Sequence, residues 1–98
     1  MDPHIATAAL RGMVLQALNL EYPNRLADEA ILAMLQGAGY DIARFDLRRH
    51  LEYLAGPGKE YIALRKLGRD MWLGKLTPKG KDLLAGVIRE DPGVKIAR

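Results

Sequence analysis

The side chains best suited to chemistry in this sequence are arginines and lysines, and they concentrate in one half of the chain. Residues 1–43 carry two basic and five acidic side chains, a net charge of −3. Residues 44–98 carry thirteen basic and seven acidic side chains, a net charge of +6. A domain charged in this way presents one positive face. Such a face attracts nucleic acid first and an acidic protein surface second.

A cluster of arginines lies in residues 42–55, a segment that the sequence predicts to be helical. At about 3.6 residues per turn, Leu47, Leu51 and Leu54 form the buried side of this helix. Phe45, Arg48, Arg49 and Glu52 lie on the opposite side, and together with Arg44 they are the candidate DNA-contact residues of this helix. Arginine can hold guanine O6 and N7 in the major groove, and phenylalanine can contact the thymine methyl group. The alternatives are a solvated polar face for the arginines, and for Phe45 a protein interface or a position under the preceding helix.

Two apolar segments, residues 61–67 and 70–76, flank Gly68-Arg69 and predict a β-hairpin with a two-residue type II′ loop. This loop pairs Arg65 with Trp72, a cation beside a tryptophan ring. The register assigns Ile62, Leu64, Met71 and Leu73 to the core side, and Tyr61, Arg65 and Trp72 to the other side. Lys66 and Arg69 are predicted to contact phosphates, although lysines also protect edge strands against aggregation.

Several classes of site are excluded by composition. The chain has no cysteine and no serine, so it cannot hold a thiolate metal site, a cysteine nucleophile or a serine triad. The two histidines, His4 and His50, have no partner at metal-ligand spacing, and no glycine pattern matches a phosphate or dinucleotide loop. We therefore expect no metal, no cofactor, no small-molecule ligand and no enzyme.

The remaining elements follow from apolar spacing and from proline and glycine. Helices are predicted over residues 1–19 and 26–36, and a last helix begins at Thr77-Pro78 and ends at Pro92-Gly93. The whole chain, residues 1–98, is predicted to be one domain with a core over residues 5–91 and a flexible tail over residues 92–98. No apolar run approaches the ~20 residues of a membrane span, and no secretion signal is present, so we expect a cytoplasmic protein.

The order of three helices, a hairpin and a fourth helix, from about Arg11 to Ala85, resembles a winged helix-turn-helix domain of the ArsR/MarR-like kind. Leu76-Thr77-Pro78-Lys79-Gly80 is similar to the junction between the wing and the closing helix of such domains. The resemblance implies an α+β fold, mainly α with a β-hairpin, of order ααα-ββ-α. It also implies a transcriptional regulator whose third helix enters double-stranded DNA. The cysteine pairs of the metal-sensing members are missing here.

The size of the chain and its Asp91-Pro92-Gly93-Val94 segment are also similar to small winged-helix proteins of Mu-like prophages, which implies a phage-encoded protein. A second reading keeps the winged helix but assigns it to protein interaction or assembly, with Tyr61, Trp72 and Phe45 as the contact patch. Titration with random-sequence duplex DNA separates the two readings.

Helix 1 carries a second face of small residues, on which another helix can approach closely. This face comprises Ile5, Ala8, Ala9 and Gly12, and it predicts a homodimer through helix 1. Pairing on two half-sites also increases the specificity of a small DNA-binding domain. The competing account is a monomer in which residues 94–96 cover Tyr61 and Trp72.

Overall fold

The computed structural model describes residues 3–97, with side chains from residue 6 onward; Met1, Asp2, Arg98 and the side chains of Pro3, His4 and Ile5, the last predicted to be in the helix 1 face, lie outside the described part. Its elements in chain order are α1 (Pro3–Glu21), β1 (Leu26–Ala27), α2 (Asp28–Gly37), α3 (Arg44–Ala55), β2 (Ile62–Lys66), β3 (Trp72–Leu76) and α4 (Pro78–Ala85). The three strands form one antiparallel sheet in the order β1-β3-β2. The predicted α+β class is confirmed.

The ends of α4 follow from local chemistry. The Oγ1 of Thr77 accepts a hydrogen bond from the amide of Gly80 at 3.1 Å, and Pro78 occupies the first helical position. Gly86 ends the helix in the left-handed conformation with φ 76°, several residues before the predicted end at Pro92-Gly93. The residues after α4 are therefore free to follow a different path.

The core lies where the three longer helices meet the sheet. Leu47, Leu51 and Leu54 of α3 are fully buried, as the helical spacing predicted. They belong to one cluster with Val14, Leu15 and Leu18 of α1, Ile31 and Leu35 of α2, and Ile62 and Leu76 of the sheet. Because one side of α3 is committed to this core, its opposite side faces solvent.

Strand β1 was not predicted. Leu26 and Ala27 pair with Gly74 and Leu73 of β3, whereas the sequence suggested that the second helix began at Leu26. A strand of two residues has no detectable alternation of apolar and polar side chains, so only its pairing with β3 reveals it. This short pairing fixes the start of α2 against the hairpin.

The register of the hairpin differs from the prediction by one residue. Its loop has three residues, Gly68 to Asp70, and the amide of Leu67 donates to the carbonyl of Met71 at 2.8 Å. Trp72 therefore pairs with Lys66 rather than with Arg65. Gly68, at φ 82°, supplies the left-handed residue that this longer loop needs.

The shift of one residue turns the β3 side chains to the opposite faces of the sheet. Trp72 lies on the core side with Gly74 and Leu76, and it packs against the core cluster. Met71 and Leu73, which the sequence assigned to the core, lie on the outer face instead. The predicted faces of β3 were therefore wrong.

The segment after Glu90 packs along α1, whereas the sequence predicted a flexible tail. Val94 is buried, and the amide of Lys95 donates to the carbonyl of Ala8 at 2.9 Å. The Nη1 of Arg11 donates to the carbonyl of Gly93 at 3.2 Å. A Cβ at Gly12 would overlap the Lys95 carbonyl. The small-residue face predicted to form a homodimer is thus covered at Ala8 and Gly12 by the chain's own C-terminal segment.

Asp91 anchors this segment. Its carboxylate accepts hydrogen bonds from Lys59 Nζ at 2.8 Å, Tyr61 Oη at 2.9 Å, Tyr53 Oη at 3.3 Å and the Gly93 amide at 2.7 Å. Burial alone would raise the pKa of Asp91, but the hydrogen bonds from Lys59, Gly93 and Tyr61 lower it below its ordinary value. Tyr61, predicted to be on the outer side, is 5% exposed because it reaches this carboxylate.

Candidate nucleic-acid interface

The solvent side of α3 carries Phe45, Arg49 and Glu52, spaced so that they form one stripe along the helix. All three are exposed, and Phe45 retains 73% of its accessible surface. The Arg49 side chain makes no hydrogen bond or ion pair within residues 6–97, whose side chains the structure describes. Its guanidinium is therefore available to an external acceptor. For these three residues the predicted outward orientation agrees with the structure.

Arg48 differs from the prediction, because its side chain is only 17% exposed. Its Nε donates to Asp28 Oδ2 at 2.8 Å, and its guanidinium carbon lies 4.8 Å from the centre of the Trp72 ring. The helical wheel placed Arg48 away from the leucines, which is correct. Asp28 of α2 and Trp72 of β3 flank α3 on that side, however, and they enclose the arginine. The expectation that Arg48 points freely into solvent was wrong.

Asp28, in the first turn of α2, is the acidic centre of this arrangement, and sequence analysis did not identify it. It is fully buried, and its Oδ1 accepts the Trp72 amide at 3.2 Å. Burial alone would raise the pKa of Asp28, but hydrogen bonds from Arg48 and the Trp72 amide, with the charges of Arg48 and Arg44, lower it. One carboxylate thus connects α2, α3 and the hairpin.

Arg44 is partly engaged by the same acidic region. Its Nε lies 3.9 Å from Asp28 Oδ2, and its Nη2 lies 3.9 Å from Glu29 Oε2. Its side chain remains 39% exposed, and exposed pairs at this distance are weak. Arg44 can therefore exchange these contacts for an external phosphate.

Lys66 joins the hairpin to the α3 stripe. Its Nζ lies 4.4 Å from the centre of the Trp72 ring and 3.9 Å from Glu52 Oε2. The cation predicted on Trp72 was Arg65, and the shifted register replaces it with Lys66 and Arg48. Since Lys66 and Glu52 touch, the cationic hairpin lies directly beside the exposed side of α3.

Arg65 and Arg69 extend the positive charge along the hairpin and around its loop. Both are exposed in the structure. Arg69 lies in the three-residue loop that joins β2 to β3. The sequence selected Arg69 for its position in the turn. The sequence also predicted Arg65 on this outer side, but it paired Arg65 with Trp72 and did not select it as a DNA-contact residue.

The alternative contact patch of Tyr61, Trp72 and Phe45 does not form. Tyr61 is buried, and Trp72 is enclosed between Arg48, Lys66 and the core. Phe45 alone remains open. The other large apolar side chains exposed at this end of the molecule are Leu67 and Met71 of the hairpin.

His50 lies on the α1 side of α3, beside an open cleft of about 580 Å³ that also includes Arg49. The Nε of Arg11 donates to His50 Nδ1 at 3.2 Å, and the Arg11 guanidinium stacks on Tyr53 with 3.6 Å to the ring centre. Burial, and then the charge of Arg11, lower the pKa of His50, which favours the neutral ring that accepts this hydrogen bond. These contacts tie α1 to α3.

Comparisons of the chain with protein-family models, with curated proteins and with solved structures found no match. Among the side chains of residues 6–97, no group of three or more acidic or histidine residues is placed to hold a metal ion. No helix in the same part of the chain is both long and apolar enough to cross a membrane. The feature that stands out is the exposed α3 stripe beside the cationic hairpin.

Proposed function

We propose that this chain is a winged helix-turn-helix domain that binds double-stranded DNA and regulates transcription. In this proposal α2 and α3 are the helix-turn-helix, α3 enters the major groove, and the β2–β3 hairpin is the wing. The observation that carries the proposal is the position of Lys66, whose Nζ lies 3.9 Å from Glu52 Oε2, so that the cationic hairpin lies beside the exposed α3 stripe. Two separate elements thereby offer one continuous surface to a polyanion.

The dimensions of α3 suit the major groove. A helix is about 10–12 Å across, and the groove is about 12 Å wide. Phe45 and Glu52 lie seven residues apart, which at 1.5 Å per residue is roughly 10 Å, or about three base pairs. Arg49 stands between them as the donor to guanine, with Phe45 against a thymine methyl group and Glu52 accepting from cytosine.

The buried ion pair behind this surface supports the proposal in a second way. Asp28 holds Arg48 of α3 and the Trp72 amide of the wing at the same time. The recognition helix and the wing are therefore fixed relative to each other before DNA arrives. Such preorganisation reduces the ordering cost of binding. Arg44, Lys66 and Arg69 then supply phosphate contacts around the bases read by Arg49.

The test is titration of the purified protein with random-sequence duplex DNA at several salt concentrations. The logarithm of the binding constant should fall linearly with the logarithm of the salt concentration, with a slope of about −0.9 for each phosphate neutralised. Lys66→Ala and Arg69→Ala should each reduce the slope by about one phosphate contact. Arg89→Ala is the matched control, because this exposed cation lies on neither α3 nor the hairpin. Absence of binding at low salt would refute the proposal.

A further inference from the structure

Two large apolar side chains stand at the tip of the hairpin, where a wing that only touched phosphates would carry polar residues. Leu67 is 51% exposed and Met71 is 42% exposed. Phosphates are hydrated and charged, and neither side chain can donate a hydrogen bond to them. The exposure of Leu67 and Met71 at the tip therefore favours a binding partner with an apolar interior.

The register places these two side chains next to each other. The pairing of Lys66 with Trp72 continues by one residue to Leu67 and Met71, whose backbones are joined by the hydrogen bond of 2.8 Å. Directly opposed residues of an antiparallel pair point to the same face, with Cβ atoms about 5 Å apart. Leu67 and Met71 thus form a single apolar wedge, and only the loop from Gly68 to Asp70 lies beyond it.

The charge around this wedge favours a polyanion. Of the seven residues 65–71, three are basic and one is acidic. Arg65 and Lys66 precede the wedge, and Arg69 lies at the turn. Duplex DNA combines negative phosphates with apolar, stacked bases between them. An uncharged apolar pocket of a protein would leave these cations without counterions.

We infer that Leu67 and Met71 insert between base pairs from the minor groove and kink the duplex. This inference rests on the proposed DNA binding. With α3 in the major groove, the adjacent hairpin reaches the neighbouring minor groove, which is too narrow for a helix but admits loops and single side chains. Leucine and methionine are among the side chains that unstack base steps there, with bends of about 20–90°. Arg69, at the same tip, is placed to contact the phosphates or base edges that flank the opened step.

The experiment begins with duplexes of about 30 base pairs that the wild-type protein selects from a random library, labelled with a fluorescent dye at each end. Energy transfer between the dyes measures the bend on binding. The wild type should shorten the end-to-end distance, and the double variant Leu67→Ala with Met71→Ala should bind with little bend. Val87→Ala is the control, since Val87 is 71% exposed and lies beyond α4. It should bend DNA as the wild type does.

A measurement on the unmodified protein makes the test independent of any variant. 2-Aminopurine placed along the selected duplex fluoresces when its base is unstacked, so the wild type should raise fluorescence at one step several-fold. A wild type that binds selected DNA without bending it, or without unstacking any step, overturns the inference and leaves DNA binding intact. A double variant that is folded and bends DNA fully also overturns it. A wild type that binds no DNA overturns the proposed function and the inference together.

Discussion

The Nε of Arg48 in α3 donates a hydrogen bond of 2.8 Å to Asp28 of α2. The two side chains form an ion pair in which the carboxylate is fully buried. The other carboxylate oxygen accepts the amide of Trp72. A buried carboxylate with these partners keeps its charge, which is why its pKa is lowered in spite of burial. The pair sets the position of α3 relative to the hairpin, so it determines how the exposed stripe is presented.

The first prediction separates the two neighbouring arginines. Arg48→Ala should lower the free energy of unfolding by about 3–5 kcal/mol, because it leaves Asp28 buried without its main counterion. Arg49→Ala should change stability by less than about 0.5 kcal/mol, since this side chain is exposed. Urea denaturation of both variants measures the difference.

DNA titration of the same variants gives the second half of this test. Arg49→Ala should weaken binding to a selected sequence by about 1–3 kcal/mol while the fold is kept. Equal stability of the two variants would contradict the structural role of Arg48. Unchanged binding by Arg49→Ala would contradict its role in base recognition.

The fold could be predicted from the sequence wherever the pattern is long. The leucines of α3 span about two helical turns, so small errors in the helix ends did not change which residues are buried. The hairpin was different, because the face to which each side chain points depends on the loop length. A loop of three residues instead of two exchanged the two faces of β3. Gly68-Arg69 is compatible with both a two-residue and a three-residue loop, and no neighbouring residue distinguishes the two.

The candidate site could be predicted only in part for a related reason. Exposure of Phe45 and Arg49 depends on α3 alone, and a helical wheel is sufficient for it. The position of Arg48 depends on a carboxylate 20 residues earlier in the chain, which no local pattern indicates. The packed C-terminal segment was missed likewise, because its anchor Asp91 binds Lys59 and Tyr61, which are distant in sequence.

The second prediction concerns the core. Leu51→Ala should lower the free energy of unfolding by about 2–5 kcal/mol, because the buried side chain leaves a cavity between α3 and its neighbours. Leu20→Ala makes the same chemical change at a side chain that is 77% exposed, and it should cost less than about 0.5 kcal/mol. Similar losses in the two variants, measured by denaturant melts, would be inconsistent with this core.

The third prediction concerns the C-terminal segment. Gly12→Ala should displace it from α1, because the added methyl group would overlap the Lys95 carbonyl. Limited proteolysis should then cut the variant after Lys95 or Arg89 faster than the wild type. Gly37→Ala is the control, since nothing lies within 4 Å of a Cβ at that glycine. Equal cleavage rates for Gly12→Ala and the wild type would show that the segment is not held against α1.

Sedimentation of Gly12→Ala extends this test to assembly. Displacement of the segment exposes the small-residue face of α1 at Ala8, where the sequence predicted a homodimer. We expect the wild type, in which that face is covered, to sediment at its chain mass of 10.9 kDa at micromolar concentration, and the variant to self-associate. A wild-type dimer would indicate pairing through another face.

The last prediction is a dependence of stability on pH that comes from His50. The pKa of His50 lies below its ordinary value of 6.5 in the folded protein, first because of burial and then because of the charge of Arg11, with Asp46 acting in the opposite direction. The unfolded chain therefore takes up a proton near its ordinary pKa, while the folded chain takes it up only at lower pH. The free energy of unfolding consequently falls as pH decreases from 6.5 towards the lowered pKa.

The variant His50→Gln isolates this effect, because glutamine cannot titrate but can still accept a hydrogen bond from Arg11. Between about pH 7.5 and about pH 5, the wild type should lose more stability than His50→Gln in urea titrations. Asp28 and Asp91 do not contribute in this range, because their pKa values are lowered and their stabilisation is lost only as the pH falls below the ordinary carboxyl value of 3.8. His4→Gln controls for the other histidine of the chain. Parallel pH profiles for the wild type and His50→Gln would mean that the contact between Arg11 and His50 does not respond to protonation.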